Sequence, residues 1–431
     1  MRRIDTPRRA GYVSRMNSPL CGVRAGLQLA PALLLAVSTA GAALDWPRFR
    51  GPDANGISRE TGWSWQWPAE GPRKHWSAKV GQGVATVVVS GGRVVTTGHS
   101  GGSDTGSDTV WCFDAVTGKE LWKHTYPAPL GDRYWEGGTT GTPTFSAGGD
   151  RAFHLSKRGE FFCLDAASGR VVWHKNLAKD FGFKVPEWGF ASSPVPAGGL
   201  LLANAGDAGA AFDASNGRLV WHNGKGDAAY ATPLLFDLDG TACAAILSHR
   251  HCVAVEVATG KVRWRAPFKS SYDTNSGQPV LHDGTLEISA YNVPAVMLDA
   301  RTGKPVESWK TDTRVHFNAG VVLDGHLFAF HGQVDKKEGE LRCLDWKTGA
   351  TKWSRAGLGV GSLVASEGKL IALGESGELA VIEASTAGYK EVARTQQIGG
   401  KCWASPVLAN GLLYVRNMAG QLVCLDLRAA K

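Results

Sequence analysis

Asp213-Ala214-Ser215-Asn216-Gly217-Arg218-Leu219-Val220-Trp221 decides the fold, because the chain writes the same phrase again and again. An acidic residue enters a small-residue turn, a glycine leaves it, and a tryptophan follows. The phrase stands at Asp114 to Gly118 with Trp122, at Asp165 to Gly169 with Trp173, and at Glu256 to Gly260 with Trp264. It returns at Asp299 to Gly303 with Trp309 and at Asp345 to Gly349 with Trp353. Weaker copies run from Glu383 to Gly388 and begin at Asp426. Successive anchors lie 38 to 51 residues apart. A period of that size marks a stacked or ring-like repeat.

Working outward from the phrase gives one structural unit. Ser192-Ser193-Pro194-Val195 opens a strand, Gly198-Gly199 turns it into Leu200 to Asn204, and Gly206 turns it again into Ala210 to Phe212. The acidic turn then delivers a fourth strand ending at Trp221. The Asp or Asn side chain caps its own turn and Gly supplies the positive φ. Four short antiparallel strands cannot bury both faces alone, but blades packed around an axis can, so the sequence predicts an all-β propeller. Each repeat-ending Trp is expected to wedge its ring against the next blade.

The two ends fix the number of blades. The anchor at Asp426 has no chain left for its outer strand, whereas Lys74-His75-Trp76 reads as an outer strand with no blade before it. Joining them closes eight blades over residues 74–428 and leaves no open sheet edge; seven blades follow only if the weak unit at Glu383 is irregular. Residues 44–73 carry no strand signal and are expected to pack across the outside as an extended strap.

Residues 1–43 read as a signal peptide. An Arg-rich segment precedes the apolar run Leu27 to Val37, and Ala40-Gly41-Ala42 has the small-residue cleavage pattern. A leader starting at Met16 would have a more ordinary length. The apolar run is short for a membrane span, and Cys21 lies on the wrong side of it for a lipid anchor. The reading is therefore an exported, periplasmic or extracellular monomer with no transmembrane segment once the leader is cleaved. The formal net charge of +8 falls to about +3 without the leader, which leaves no basis for a nucleic-acid groove.

Cys112, Cys163, Cys343 and Cys424 each stand two residues before an anchor, where other repeats carry Ala211, Ala254, Met297 and Val381. That is a small, buried strand position. Cys243 and Cys252 flank a hairpin turn near His249-Arg250, and a disulfide between them is one alternative. His249 and His251 share a strand face but lack a third ligand, so no metal site is expected.

The phrase Leu-x-Cys-Leu-Asp-Ala-x-Ser/Thr-Gly-x-x-x-Trp resembles the repeat of the PQQ-binding-like β-propellers, over residues 74–428. That superfamily holds quinoprotein alcohol dehydrogenases and the propeller lipoprotein of the outer-membrane barrel assembly machinery. Trp46-Pro47-Arg48-Phe49-Arg50-Gly51-Pro52 resembles the opening of a subgroup of exported bacterial propellers. For an enzyme, the resemblance implies PQQ held between a Trp and a disulfide of adjacent cysteines, with calcium beside it. This sequence has no adjacent cysteine pair and no C-x-x-C-H haem motif, so no cofactor is expected.

Ligands of propellers meet the ring near its axis, at the loops leading into each innermost strand. Here those loops carry Trp135 and Glu136, Trp188, Tyr230, then Tyr272, Asp273 and Asn275, His316 and Asn318, and Lys401 with Trp403. Aromatic rings beside polar groups suit stacking on a sugar, peptide or planar ring; the same rings would equally plug the channel. Glu136 or Asp273 beside His316 would make an acid–base pair. The first reading is a scaffold that binds a small molecule, carbohydrate or envelope protein. The alternative is a PQQ-dependent dehydrogenase, or another enzyme using the funnel.

Overall fold

The computed structural model describes residues 44–130, 137–334, 336 and 338–429. The proposed signal peptide, Trp135 and Glu136 lie outside the described residues. Eight antiparallel sheets follow one another along the chain, and each is built from consecutive strands except the last. Blade 1 comprises Val88–Ser90, Arg93–Ser100, Ser107–Asp114 and Glu120–Pro127. Blade 4, for comparison, comprises Leu234–Leu238, Thr241–Leu247, His251–Glu256 and Val262–Pro267. In blade 8 the strands Val407–Ala409, Leu412–Arg416 and Gln421–Asp426 are completed by Arg73–Lys79 from the far end of the chain. The ring therefore closes as eight blades. The unit at Glu383 is a regular four-stranded blade 7, Ser362–Ser366 through Glu391–Gln396.

The recurring phrase is the joint between blades. Asp213 accepts hydrogen bonds from the Ser215 amide at 2.9 Å and hydroxyl at 2.6 Å, which hold its carboxyl below the usual range. Gly217 has a φ of 73°, and a Cβ there would stand 2.7 Å from the Trp173 ring of the preceding blade. The glycine thus serves both the turn and the tryptophan that lies on it. The indole N–H then donates to the carbonyl of the residue after the next anchor. Trp76 reaches Ala115, Trp122 reaches Ala166, Trp173 reaches Ala214 and Trp221 reaches Val257, at 2.8 to 3.0 Å. Trp264 and Trp309 do the same at Ala300 and Trp346, and Trp353 reaches one residue further, to Ser385.

The cysteine position acquires a reason as well. Cys112 pairs opposite Trp122, Cys163 opposite Trp173, Cys343 opposite Trp353 and Cys424 opposite Trp76. A small side chain leaves the indole room. In blade 7 the sizes are exchanged, with Val381 opposite Ala393. The seven described cysteines are buried and free, and burial pushes the Cys112 thiol up to about 12. The Cys243–Cys252 disulfide is not formed: Cys243 faces Glu256 and Cys252 faces Leu247. That register separates the two by four residues, about 13 Å along the strands, beyond a disulfide's reach.

Two expectations need correction. Blade 5 has three strands, Val280–His282, Thr285–Ala290 and Val293–Asp299. Pro305 stands where the fourth would begin and makes only an isolated bridge to Leu298, because it has no N–H to continue a ladder. Trp309, two residues later than in the other repeats, still reaches its wedge.

Only the second part of the strap runs across the outside, where Thr395 of the outer strand of blade 7 donates to Glu70 at 3.3 Å. Its first residues add instead to the free inner edges of the blades, on the face carrying the anchor turns. Trp46 exchanges both backbone bonds with Val89 of blade 1, and Phe145 of blade 2 donates to Pro47. Arg50 donates to Ala319 and Gly320 beside blade 6. Ile57 bridges Ala365 of blade 7, and the Ser58 hydroxyl donates to Leu408 of blade 8 at 2.9 Å. Arg48, Phe49 and Pro52 cover the innermost strands of blades 2 to 4, over a cavity of about 80 Å³. The strap therefore caps the axis from one side. No helix among the described residues is long and apolar enough to cross a membrane.

Candidate functional site

The strap lies on one face of the ring, and the lead-in loops of the blades stand on the other. There the lead-in loops are tied to one another by short polar side chains. The Thr86 hydroxyl donates to Ser405, Ser276 to His316 and Ser362 to Ala404, while Ser193 N–H donates to Thr232. Fixed loops of this kind hold side chains in place without a ligand.

Four of the sequence-predicted residues, Tyr272, His316, Lys401 and Trp403, line this face in one continuous row. Tyr272 lies 6.2 Å from Tyr291, which lies 4.7 Å from His316. His316 meets Phe317 at 4.5 Å, and Phe317 meets Trp403 at 5.1 Å. Lys401 carries its ammonium 4.7 Å over the Trp403 ring, a cation–π contact, and Trp403 Nε1 donates to Glu375 at 3.4 Å. The row thus crosses blades 5, 6 and 8. Tyr272 is 76% exposed, the largest exposure of any bulky apolar side chain described.

Other candidates do different work. Asn275 is fully buried and its amide donates to the carbonyls of Ser248 and His249 at 2.7 and 3.1 Å, so it splices blades 4 and 5. Asn318 donates to the Trp403 carbonyl at 3.1 Å, tying blade 6 to blade 8. Asp273 faces His249 at 3.3 Å and Lys269 at 3.9 Å; the acid–base pairing of Asp273 with His316 is not made. Trp188 and Tyr230 form a separate pair, with the Trp188 amide 3.5 Å from the Tyr230 hydroxyl. Burial raises that phenol to about 12.

Tyr291 and Glu375 escaped sequence reading because they sit in hairpins between second and third strands, not in the lead-in loops. Those hairpins open on the same face, since strands alternate direction. A further polar group lies between blades 1 and 2: His99 Nδ1 meets Asp108 at 2.8 Å, and Tyr126 meets His154 at 2.7 Å. Burial pushes Asp108 up and His154 down to about 3. All four are enclosed, so this cluster joins blades and offers no opening to a ligand.

A family model described as the outer membrane protein assembly factor BamB matches residues 106–355. The chain belongs to the PQQ-like repeat family. Among solved structures, BamB from Moraxella catarrhalis superposes with a TM-score of 0.61 at 14% identity, covering 82% of this chain and 99% of that one. A quinohemoprotein alcohol dehydrogenase from Pseudomonas putida HK5 gives 0.67 at 12%, covering 90% and 81%. A europium-containing methanol dehydrogenase gives 0.66 at 13%, covering 86% and 89%. At these identities the likeness is one of fold. No curated protein matches this chain in sequence.

Does this PQQ-like propeller offer the donor set of the quinone enzymes? Among the described residues no three His, Cys, Asp or Glu side chains converge as a metal would need. The cysteines lie singly on buried strands. The described rings of the row meet one another at tilts of 45 to 50°, not as the parallel faces that would sandwich a planar cofactor. The described residues do not fit PQQ, and no step is derived through it.

Proposed function

We propose that the chain is an exported, non-catalytic propeller that binds a partner protein through the aromatic row of its open face. One observation carries the reading. Tyr272 and Asp273 follow each other with φ of 58° and 53°, in a region that disfavours side chains. Each such residue costs on the order of 1–3 kcal/mol, and strain of this kind persists mainly where function uses it. Here it holds a tyrosine out into solvent at the head of the row. An extended aromatic surface on tied loops suits protein recognition, where rigid aromatic side chains supply most of the affinity. The family match to an assembly factor supports a binding role rather than a reaction.

Photo-crosslinking from position 272 in envelope preparations tests the proposal. A discrete adduct is expected, lost in Trp403→Ala and Phe317→Ala variants that keep the parent's unfolding midpoint. Adducts unchanged by both substitutions would overturn it, as would dye reduction with alcohols after reconstitution with PQQ and calcium.

A further inference from the structure

Beside the aromatic row, blades 3 and 4 part to form a cleft of about 610 Å³. Its blade-4 wall carries Arg250, His251 and Arg265. The strand register explains their meeting: Val253 pairs with Arg265, and His251 lies two residues from Val253 on the same side. Arg250 stands in the turn just before, where its carbonyl accepts from Phe268. Arg263, one step along the same strand, is neutralised by Glu256 at 3.4 Å. Neither Arg250 nor Arg265 has a carboxylate within 4.0 Å among the described residues, although the cleft has two acids on its facing wall. Asp207 lies against the segment that leaves blade 3, so close that a Cβ on Gly224 would meet its Oδ2 at 1.6 Å. Asp227 is paired with Lys184 at 2.6 Å. The remaining histidine of the cleft, His249, faces Asp273.

We infer that this wall is a binding site for one oxyanion, a carboxylate or a phosphate or sulfate group, held by Arg250 and Arg265 with His251 between them. Like charges crowded on one wall repel, and of the two acids on the facing wall Asp227 is already paired with Lys184. Guanidinium groups are the donors that match planar and tetrahedral oxyanions in two-point geometry. His251 reports on the site, since burial and then the charges of Arg265 and Arg250 lower its affinity for a proton. An anion seated between the arginines would reverse the charge contribution. The site is separate from the aromatic row and does not depend on the protein-binding reading.

The experiment follows the His251 imidazole by NMR through a pH titration, with and without inorganic phosphate, sulfate or acetate at matched ionic strength. The expected result is saturable binding at millimolar concentrations and a rise of the His251 midpoint by half a pH unit or more. Arg265→Gln and Arg250→Gln should each weaken binding at least tenfold, whereas Arg218→Gln, just before the outer strand of blade 3, should not. A preference for acetate assigns a carboxylate ligand, and a preference for phosphate or sulfate assigns a tetrahedral one; either supports the site. No saturable response, or a response equal in the parent and both cleft variants, overturns it.

Discussion

Seven blade junctions are wedged by a tryptophan, and the junction of blades 7 and 8 is not. The outer strand of blade 7 carries Ala393 where the others carry the indole. Yet the carbonyl that an indole would serve, that of Leu427 after the Asp426 anchor, is not left without a donor. The Ser64 amide of the strap donates to it at 2.6 Å. Trp63 is buried beside it, bridges Arg428 and donates to Ser366 at 3.1 Å. Trp65 and Trp67 pack on the same cluster. The difference teaches that the repeat's requirement is a donor and an apolar mass at one place, and that a segment remote in sequence can supply both.

The comparison is most severely tested by removing its odd member. A chain lacking residues 44–68 should lose more than about 5 kcal/mol, as expected when a buried network and several core side chains go together. Loss of a cooperative thermal transition would show it, and an unchanged midpoint would mean that the eighth junction stands unaided. On the regular side, Trp221→Ala should cost about 3–5 kcal/mol, read as a lower urea midpoint with an unchanged slope.

The strap's side also carries a pH dependence opposite in sign to that of the anchor aspartates, whose carboxyls their turns hold below the usual range. Glu287, fully buried in blade 5, has its carboxyl pushed up to about 7 by burial, partly offset by Ser289 and by the charge of Arg50. Between about 4.5 and 7 the folded chain holds the proton more tightly than the unfolded one. Stability therefore falls as pH rises through that window, by up to about 3 kcal/mol. Glu287→Gln should remove that fall and leave the variant more stable than the parent at pH 8, measured by urea unfolding at pH 5 and 8. The smallest expected effect is that of Ser64→Pro, which deletes one donor and should cost roughly 1–3 kcal/mol. A cost near zero would assign the junction to the tryptophans alone.

The outer parts of the blades were legible because the phrase states its own chemistry: a capping acid, a glycine and an indole, at fixed spacing. Ring closure was legible too, since Lys74-His75-Trp76 matched a strand missing at Asp426. The strap's path was not, because an irregular segment that fills an axis has no period to read. The site was legible in part. Tyr272, His316 and Trp403 stood out as aromatics in lead-in loops, but Tyr291 arrives from a hairpin whose facing depends on strand direction. Asn275 and Asn318 looked like ligand contacts and are structural ties, since a buried amide and a binding amide share one sequence signal.

The Arg73–Lys79 strand pairs with Gln421–Asp426, so the earliest-made part of the propeller waits for almost the last. Arg416 underlines the delay: fully buried, it donates to Ala85, Thr97, Gly81 and Gly83, none of which it can meet before its own strand exists. Contacts of such long sequence separation form late and slowly. Until the last strand is made, the first therefore lacks its sheet partner, a length of unmatched β-edge available to a holdase. The finished ring is sealed by a velcro whose two halves lie at opposite ends of the propeller's sequence.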